Sequence, residues 1–211
     1  MESKNYSFST FEEMVSVYKQ TGFIGLEAEL DFFRVLGLRN DVSNFVQAEA
    51  LLTGAHQRYF NFRNAKPYKE AAIQKLAVTR PWNRTFGDFE SLHTYICEEL
   101  ESIPYIQDLA KYDVAKRLGA MLTSEVLPRD FVYVQNGAKI GAEKLLGRSI
   151  LNGIIRLDIA EFAPFMGNLP AVHIENLLCI MKDYFVTGGV TPCDKKKLTP
   201  CVFNYEKILK L

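Results

Sequence analysis

The sequence predicts a mainly α-helical fold with little or no β structure. Apolar residues recur three and four apart through most of the chain, as in Phe11, Met14, Val15 and Tyr18, which is the period of a helix face turned towards a core. Helix start and stop signals bracket these segments at short intervals. Only Phe131-Val132-Tyr133-Val134 has a β-like character. Short connections between amphipathic segments make an architecture in which helix faces pack on one another.

Thr10 with Glu13 forms a capping box that opens the first helix, since the hydroxyl and the carboxylate each satisfy a backbone donor of the other. It is expected to end near Gly22. A second helix is expected from Gly25 to Leu36, with Leu26, Leu30 and Phe33 inward and Gly37 as its stop. Ser43 opens a third, which continues past Gly54 towards Tyr59. Lys66-Pro67 begins a fourth, where proline is tolerated in the first turn. Arg80-Pro81-Trp82-Asn83 breaks the chain, and Thr85 with Asp88 caps a long helix ending at Ile103-Pro104. Asp108 caps the next, Leu109 to Leu118, closed by Gly119. Gly137 to Leu146 is helical and closed by Gly147. A last strong helix covers Val172 to Phe185. Thr187 to Cys201 reads as loop, and Tyr205–Leu211 as a short closing element.

A chain of 211 residues buries enough surface to fold without staples. One helical domain over 1–211 is expected, with a weak boundary that allows lobes 1–84 and 85–185 and a C-terminal tail 186–211. No run of about eighteen apolar residues occurs, and the N-terminus lacks the apolar core of a signal peptide. The sequence reading is therefore a cytoplasmic protein with no membrane association. The four cysteines, Cys97, Cys179, Cys193 and Cys201, are too few and too spread for a disulfide scaffold and lack the Cys-x-x-Cys spacing of a metal site. Cys97 and Cys179 are expected as buried thiols. His56, His93 and His173 are read as local polar contacts. No metal and no cofactor is expected. Walker, Gly-x-Gly-x-x-Gly and Gly-x-Ser-x-Gly patterns are absent, so nothing points to nucleotide or serine hydrolysis.

Net charge is zero but unevenly spread. Residues 1–55 carry eight acids and four bases; His56 to Arg84 carries seven bases and one acid; Asp88 to Asp108 carries six acids and no base. The basic stretch interleaves Arg58, Arg63, Lys66, Lys69 and Arg84 with Tyr59, Phe60, Phe62, Tyr68 and Trp82. That composition suits a phosphate track with stacking platforms, and equally a helix with one aromatic core face and one solvated basic face. The late acids Asp158, Glu161, Glu175 and Asp183 are expected on the outer side of an amphipathic face.

From Leu100 to Gly147 the order is specific. A helix ends in Ile103-Pro104-Tyr105-Ile106-Gln107, a second helix ends in Leu118-Gly119, and Val132-Tyr133-Val134-Gln135 enters a third that ends in Leu146-Gly147. This resembles the helix-hairpin-helix DNA glycosylase superfamily, whose hairpin reads Leu-Pro-Gly-x-Gly and whose next motif reads Val-Asp-Thr. The resemblance implies a two-lobed helical bundle, DNA (single- or double-stranded) as partner, and a flipped base between lobes. The family's hairpin glycines let backbone N–H groups reach a phosphate at a helix N-terminus. Here Tyr105 and Gln107 stand at those positions. Leu109 stands where bifunctional members carry a nucleophilic lysine, and Gln135 where the catalytic aspartate falls.

By this resemblance Tyr112, Asp113, Gln135 and Lys139 line the pocket, with Asp113 as a carboxylate and Lys139 as an amine or phosphate clamp. Asp113 and Arg117 also read as an exposed i,i+4 pair. The lost family residues leave it open whether the chain is an enzyme at all. It is either a diverged glycosylase or a base-modifying transferase, similar to the phage-type base-hypermodification branch. The alternative is a non-enzymatic module that keeps the fold to hold a protein partner or a nucleic acid.

Overall fold

The computed structural model describes residues 4–39, 42–53 and 66–198. It is mainly helical, with short strands. Contacts gather the described residues into two compact units, one of residues 4–27 and 128–198, the other of 28–39, 42–53 and 66–127. The sequence boundary near residue 84 falls inside the second unit, where an ion pair between Lys75 and Glu99 at 3.2 Å links the segments on either side.

In the first unit, β1 (Lys4–Phe8) leads into α1 (Phe11–Lys19) through the Thr10–Glu13 capping box, present in full. The opening of α2 (Gly22–Leu38) follows; the helix passes into the second unit after Glu27. Later in the chain come β2 (Phe131–Tyr133), α7 (Asn136–Leu146), β3 (Arg156–Asp158), the short α8 (Ala163–Met166) and α9 (Ala171–Ile180). The strand expected at 131–134 pairs antiparallel with β3, Val132 opposite Leu157. The core joins Met14, Tyr18, Val132, Val134, Ala138, Leu145, Phe162, Ile174, Leu177 and Leu178.

The described part of the segment read as a loop tail, 187–198, is largely strand. β4 (Phe185–Val186) turns back on β5 (Gly189–Val190), and β6 (Cys193–Leu198) pairs antiparallel with β1, Lys4 opposite Leu198 and Phe8 opposite Cys193. α9 therefore stops at Ile180 rather than Phe185, because Phe185 is taken up by the hairpin whose turn holds Gly188 at φ 63°. The lysines of β6 hid the strand: an edge strand with charged side chains lacks the apolar alternation that marks one in sequence.

The second unit holds the rest of α2 with α3 (Asn44–Thr53), α4 (Lys66–Thr79), α5 (Phe89–Leu100) and α6 (Asp108–Met121). Leu30, Phe33, Leu36, Leu51, Leu76, Leu92, Ile96 and Leu118 are its buried apolar residues. α5 is capped by Asp88, whose carboxylate accepts from Ser91 N at 2.8 Å, and not by Thr85. α6 begins with Gln107 at its N-cap, without a side-chain bond, so Asp108 is its first residue and not its cap.

Gly37 and Gly119 were expected as stops, yet both lie within helices. A Cβ at Gly37 would stand 1.9 Å from Met121 O, and one at Gly119 1.9 Å from Val126 O. Both glycines serve close backbone approach, a use that does not show in local sequence. Gly147, at φ 63°, does close α7 as anticipated. The extension of the third helix into residues 54–59 and the closing element at Tyr205–Leu211 lie outside the described residues. Among the described residues no helix is long and apolar enough to cross a membrane.

Candidate functional site

The hairpin between α5 and α6 lies wholly in the second unit. Leu100 closes α5 in the core, and Pro104-Tyr105 turns the chain. Tyr105 adopts φ 65°, a left-handed conformation that costs a non-glycine residue roughly 1–2 kcal/mol. Its ring packs on Tyr68, centroids 4.9 Å apart. Ile106 is buried beneath, and Gln107 leaves the first α6 N–H groups without a side-chain cap. Asp108 is exposed, 3.8 Å from Lys111 Nζ.

α6 corrects the exposed-pair expectation. Every residue from Tyr112 to Met121 is buried, so the helix has no solvent face on which Asp113 and Arg117 could pair. Asp113 Oδ1 instead accepts from Lys116 Nζ at 2.8 Å, with side chains 3% and 4% exposed. Arg117, 1% exposed, donates through Nε to Glu29 Oε1 at 2.6 Å and through Nη1 to Leu51 O at 2.9 Å. Charges at such depth are stable only when paired and hydrogen-bonded. Lys116 Nζ also sits 5.5 Å from the centroid of the buried Tyr112 ring. The Asp113 carboxylate is thus engaged, which disfavours it as a general base.

In the first unit, β2 delivers Gln135 to the N-cap of α7. Two glycines hold that helix hard against α9: a Cβ at Gly137 would meet Cys179 Sγ at 2.7 Å, and one at Gly141 Leu178 O at 2.3 Å. Asn136 sits at φ 46°, again a left-handed non-glycine residue. Gln135 is 9% exposed, and among the described residues neither Oε1 nor Nε2 has a hydrogen-bond partner. Such orphaned amides are uncommon in native interiors and call for an explanation. Lys139, one turn on, donates to Asn152 Oδ1 at 3.4 Å. Tyr133 is buried.

The four expected pocket residues therefore fall as Tyr112 and Asp113 in the second unit, Gln135 and Lys139 in the first. Of the basic stretch, Arg58 and Arg63 lie outside the described residues. Lys66 pairs with Glu70 at 3.8 Å, Lys69 with Glu49 at 4.0 Å, and Arg84 lies over the Tyr95 ring at 4.5 Å. Of these three, only Lys69 meets an acid from another helix, Glu49 on α3; Lys66 pairs within α4 and is 82% exposed.

Two constellations escaped the sequence reading. Tyr18 OH bonds His173 Nδ1 at 3.0 Å, His173 Nε2 meets Glu27 Oε1 at 2.8 Å, Asn176 Nδ2 donates to Tyr18 OH at 3.1 Å, and Phe23 stacks on His173. Burial pushes the Tyr18 hydroxyl far above its ordinary range. Only His173-x-x-Asn176 at one-turn spacing hinted at this network. On α5, Cys97 Sγ lies 3.6 Å from His93 Nε2, an i,i+4 contact. Burial raises the Cys97 thiol, against the pull of Lys111, which favours its protonated form at neutral pH. Cys97 and Cys179 are half-buried rather than buried, whereas Cys193, assigned to the polar tail, is buried in β6. Among the described residues no group of His, Cys, Asp and Glu is arranged to hold a metal ion. Compared with protein-family models, curated proteins and solved structures, the chain matches none.

Proposed function

We propose that the chain is a two-lobed helix-hairpin-helix protein, diverged from the DNA glycosylases, that binds DNA and recognises a base. One observation carries this reading. Tyr105, directly after Pro104, holds the left-handed conformation that the family assigns to glycine, at the turn into an uncapped α6 N-terminus. A tyrosine is kept in that strained conformation only where the surrounding turn demands it. Gln135 at the α7 N-cap, where the family has its aspartate, agrees with the same alignment.

The chemistry favours recognition over hydrolysis. An amide at position 135 cannot take a proton or balance an oxocarbenium charge, and Asp113 is bound to Lys116. A base-modifying transferase is compatible with a neutral amide at position 135. The second reading, a non-enzymatic interaction module, is favoured by the acids that neutralise Lys66 and Lys69.

A salt titration of labelled single- and double-stranded DNA by fluorescence anisotropy tests the proposal. Affinity is expected to fall steeply with salt, and charge reversal at Arg58, Arg63 and Lys66 to remove most of it. Absence of binding at low salt overturns the reading and leaves the interaction module.

A further inference from the structure

Gln135 joins two observations that arise independently. It stands at the N-terminus of the eleven-residue α7, whose first N–H groups receive no side-chain cap. Its own amide is nine-tenths buried with both polar atoms unpartnered. A glutamine at a helix N-cap can discharge a donor by bending its carbonyl back to the first turn. Here it does not. An apolar residue of the same length, such as methionine, would fill the space without leaving a donor and an acceptor unsatisfied. The neighbours Val134 and Ala138 are core residues, so nothing local requires polarity at 135.

Gly137 and Gly141 bring α7 against α9 at distances that leave no room for a Cβ, which fixes where the helix presents Gln135. The strained Asn136 fixes the chain on the other side of its Cα.

We propose that Gln135 is a specificity-determining residue that reads the edge of a neutral, planar heterocycle presenting a hydrogen-bond donor beside an acceptor, as a nucleobase does. This rests on the proposed recognition of a base and deepens it. A primary amide offers one acceptor and one donor side by side in a plane, and its natural complement carries the reverse pair. Glutamine meets adenine N6 and N7 in this bidentate manner. Phosphate is the wrong ligand, since it has acceptors only and would face the Oε1 lone pairs. Because both atoms are closed to solvent, the ligand edge must displace the cover over them, as a base does when it leaves its stack for a pocket.

The test is an NMR titration of the full chain labelled at glutamine side-chain amides. The probes are the four deoxynucleosides, each to millimolar concentration, with inorganic phosphate as control. Assignment uses Gln135→Met. The Gln135 Nε2 signals are expected to move with at least one nucleoside and not with phosphate. Gln135→Met and Gln135→Glu are each expected to weaken that nucleoside about tenfold or more, while Gln135→Met raises Tm. A Gln135 amide that responds to no nucleoside overturns the proposal. So does nucleoside binding that survives both substitutions. DNA binding with steep salt dependence but a silent Gln135 defeats this inference and spares the proposed function. A responding Gln135 without DNA binding does the reverse.

Discussion

Replacing Arg117 by methionine is the sharpest probe of how the second unit is held together. The side chain is 1% exposed, and its bonds include Nε to Glu29 Oε1 at 2.6 Å and Nη1 to Leu51 O at 2.9 Å. It therefore ties α6 to both α2 and α3. Methionine fills the volume, so the cost is electrostatic and not a cavity. Leaving Leu51 O without its donor costs about 1–3 kcal/mol, and stranding the buried Glu29 carboxylate brings the total to about 3–5 kcal/mol. That is a large part of the roughly 5–15 kcal/mol that holds a domain folded. The paired variant Arg117→Met with Glu29→Met removes both charges and is expected to recover most of the loss, with the Leu51 carbonyl still without its donor. With Glu29→Met added as the second single variant, urea unfolding at pH 7, followed by circular dichroism, gives the four free energies of the cycle and the coupling between the two charges. A single Arg117→Met variant within about 1 kcal/mol of the parent would refute the reasoning, because an uncompensated buried carboxylate cannot cost so little. A double variant no better than the single would show that the two charges are not each other's main partner.

Two further outcomes follow from the first unit's packing and protonation. Gly141→Ala places a Cβ 2.3 Å from Leu178 O, a backbone atom that cannot step aside, and is expected to cost about 1–3 kcal/mol by overpacking; a melt equal to that of the open-space control Gly87→Ala would show that α7 and α9 are not so close. Tyr18 and, in the other unit, Cys97 are raised above ordinary values of 10.0 and 9.0, chiefly by burial. For an acid held protonated in the fold, the unfolded chain ionises first, so the associated stability is complete below pH about 9 and declines as pH rises beyond it. Tyr18→Phe removes the hydroxyl that bonds His173 and Asn176, with an expected loss of about 1–3 kcal/mol at pH 7. It also makes the alkaline decline shallower; Tm values from pH 7 to 11 with an unchanged slope would contradict this.

Helix type and most helix starts were legible because their causes are local. The Thr10–Glu13 box, the Ser43 and Lys66-Pro67 openings and the Gly147 close each depend on residues within one turn, and all appear where the sequence places them. The β2 run and the helix that follows it were also readable, though the structure starts that helix at Asn136 and not Gly137. Features that depend on residues distant in the chain were not. Gly37 and Gly119 look like stops until Met121 O and Val126 O are brought against them. β6 looks like loop until β1 supplies its hydrogen bonds.

The candidate site divides in the same way. Sequence alone determined that the chain is helical, that a Pro104-Tyr105 hairpin precedes α6, and that no carboxylate stands at 135. Tertiary structure decided protonation, partnership and burial. Asp113 and Arg117 exchanged each other for Lys116 and Glu29 because α6 has no exposed face. The Tyr18–His173–Glu27 network joins residues from α1, α2 and α9 that no spacing rule connects. Helix propensity and capping act over a few residues along the chain, whereas desolvation and charge pairing depend on what the fold places beside a group, and that is set only when distant segments meet.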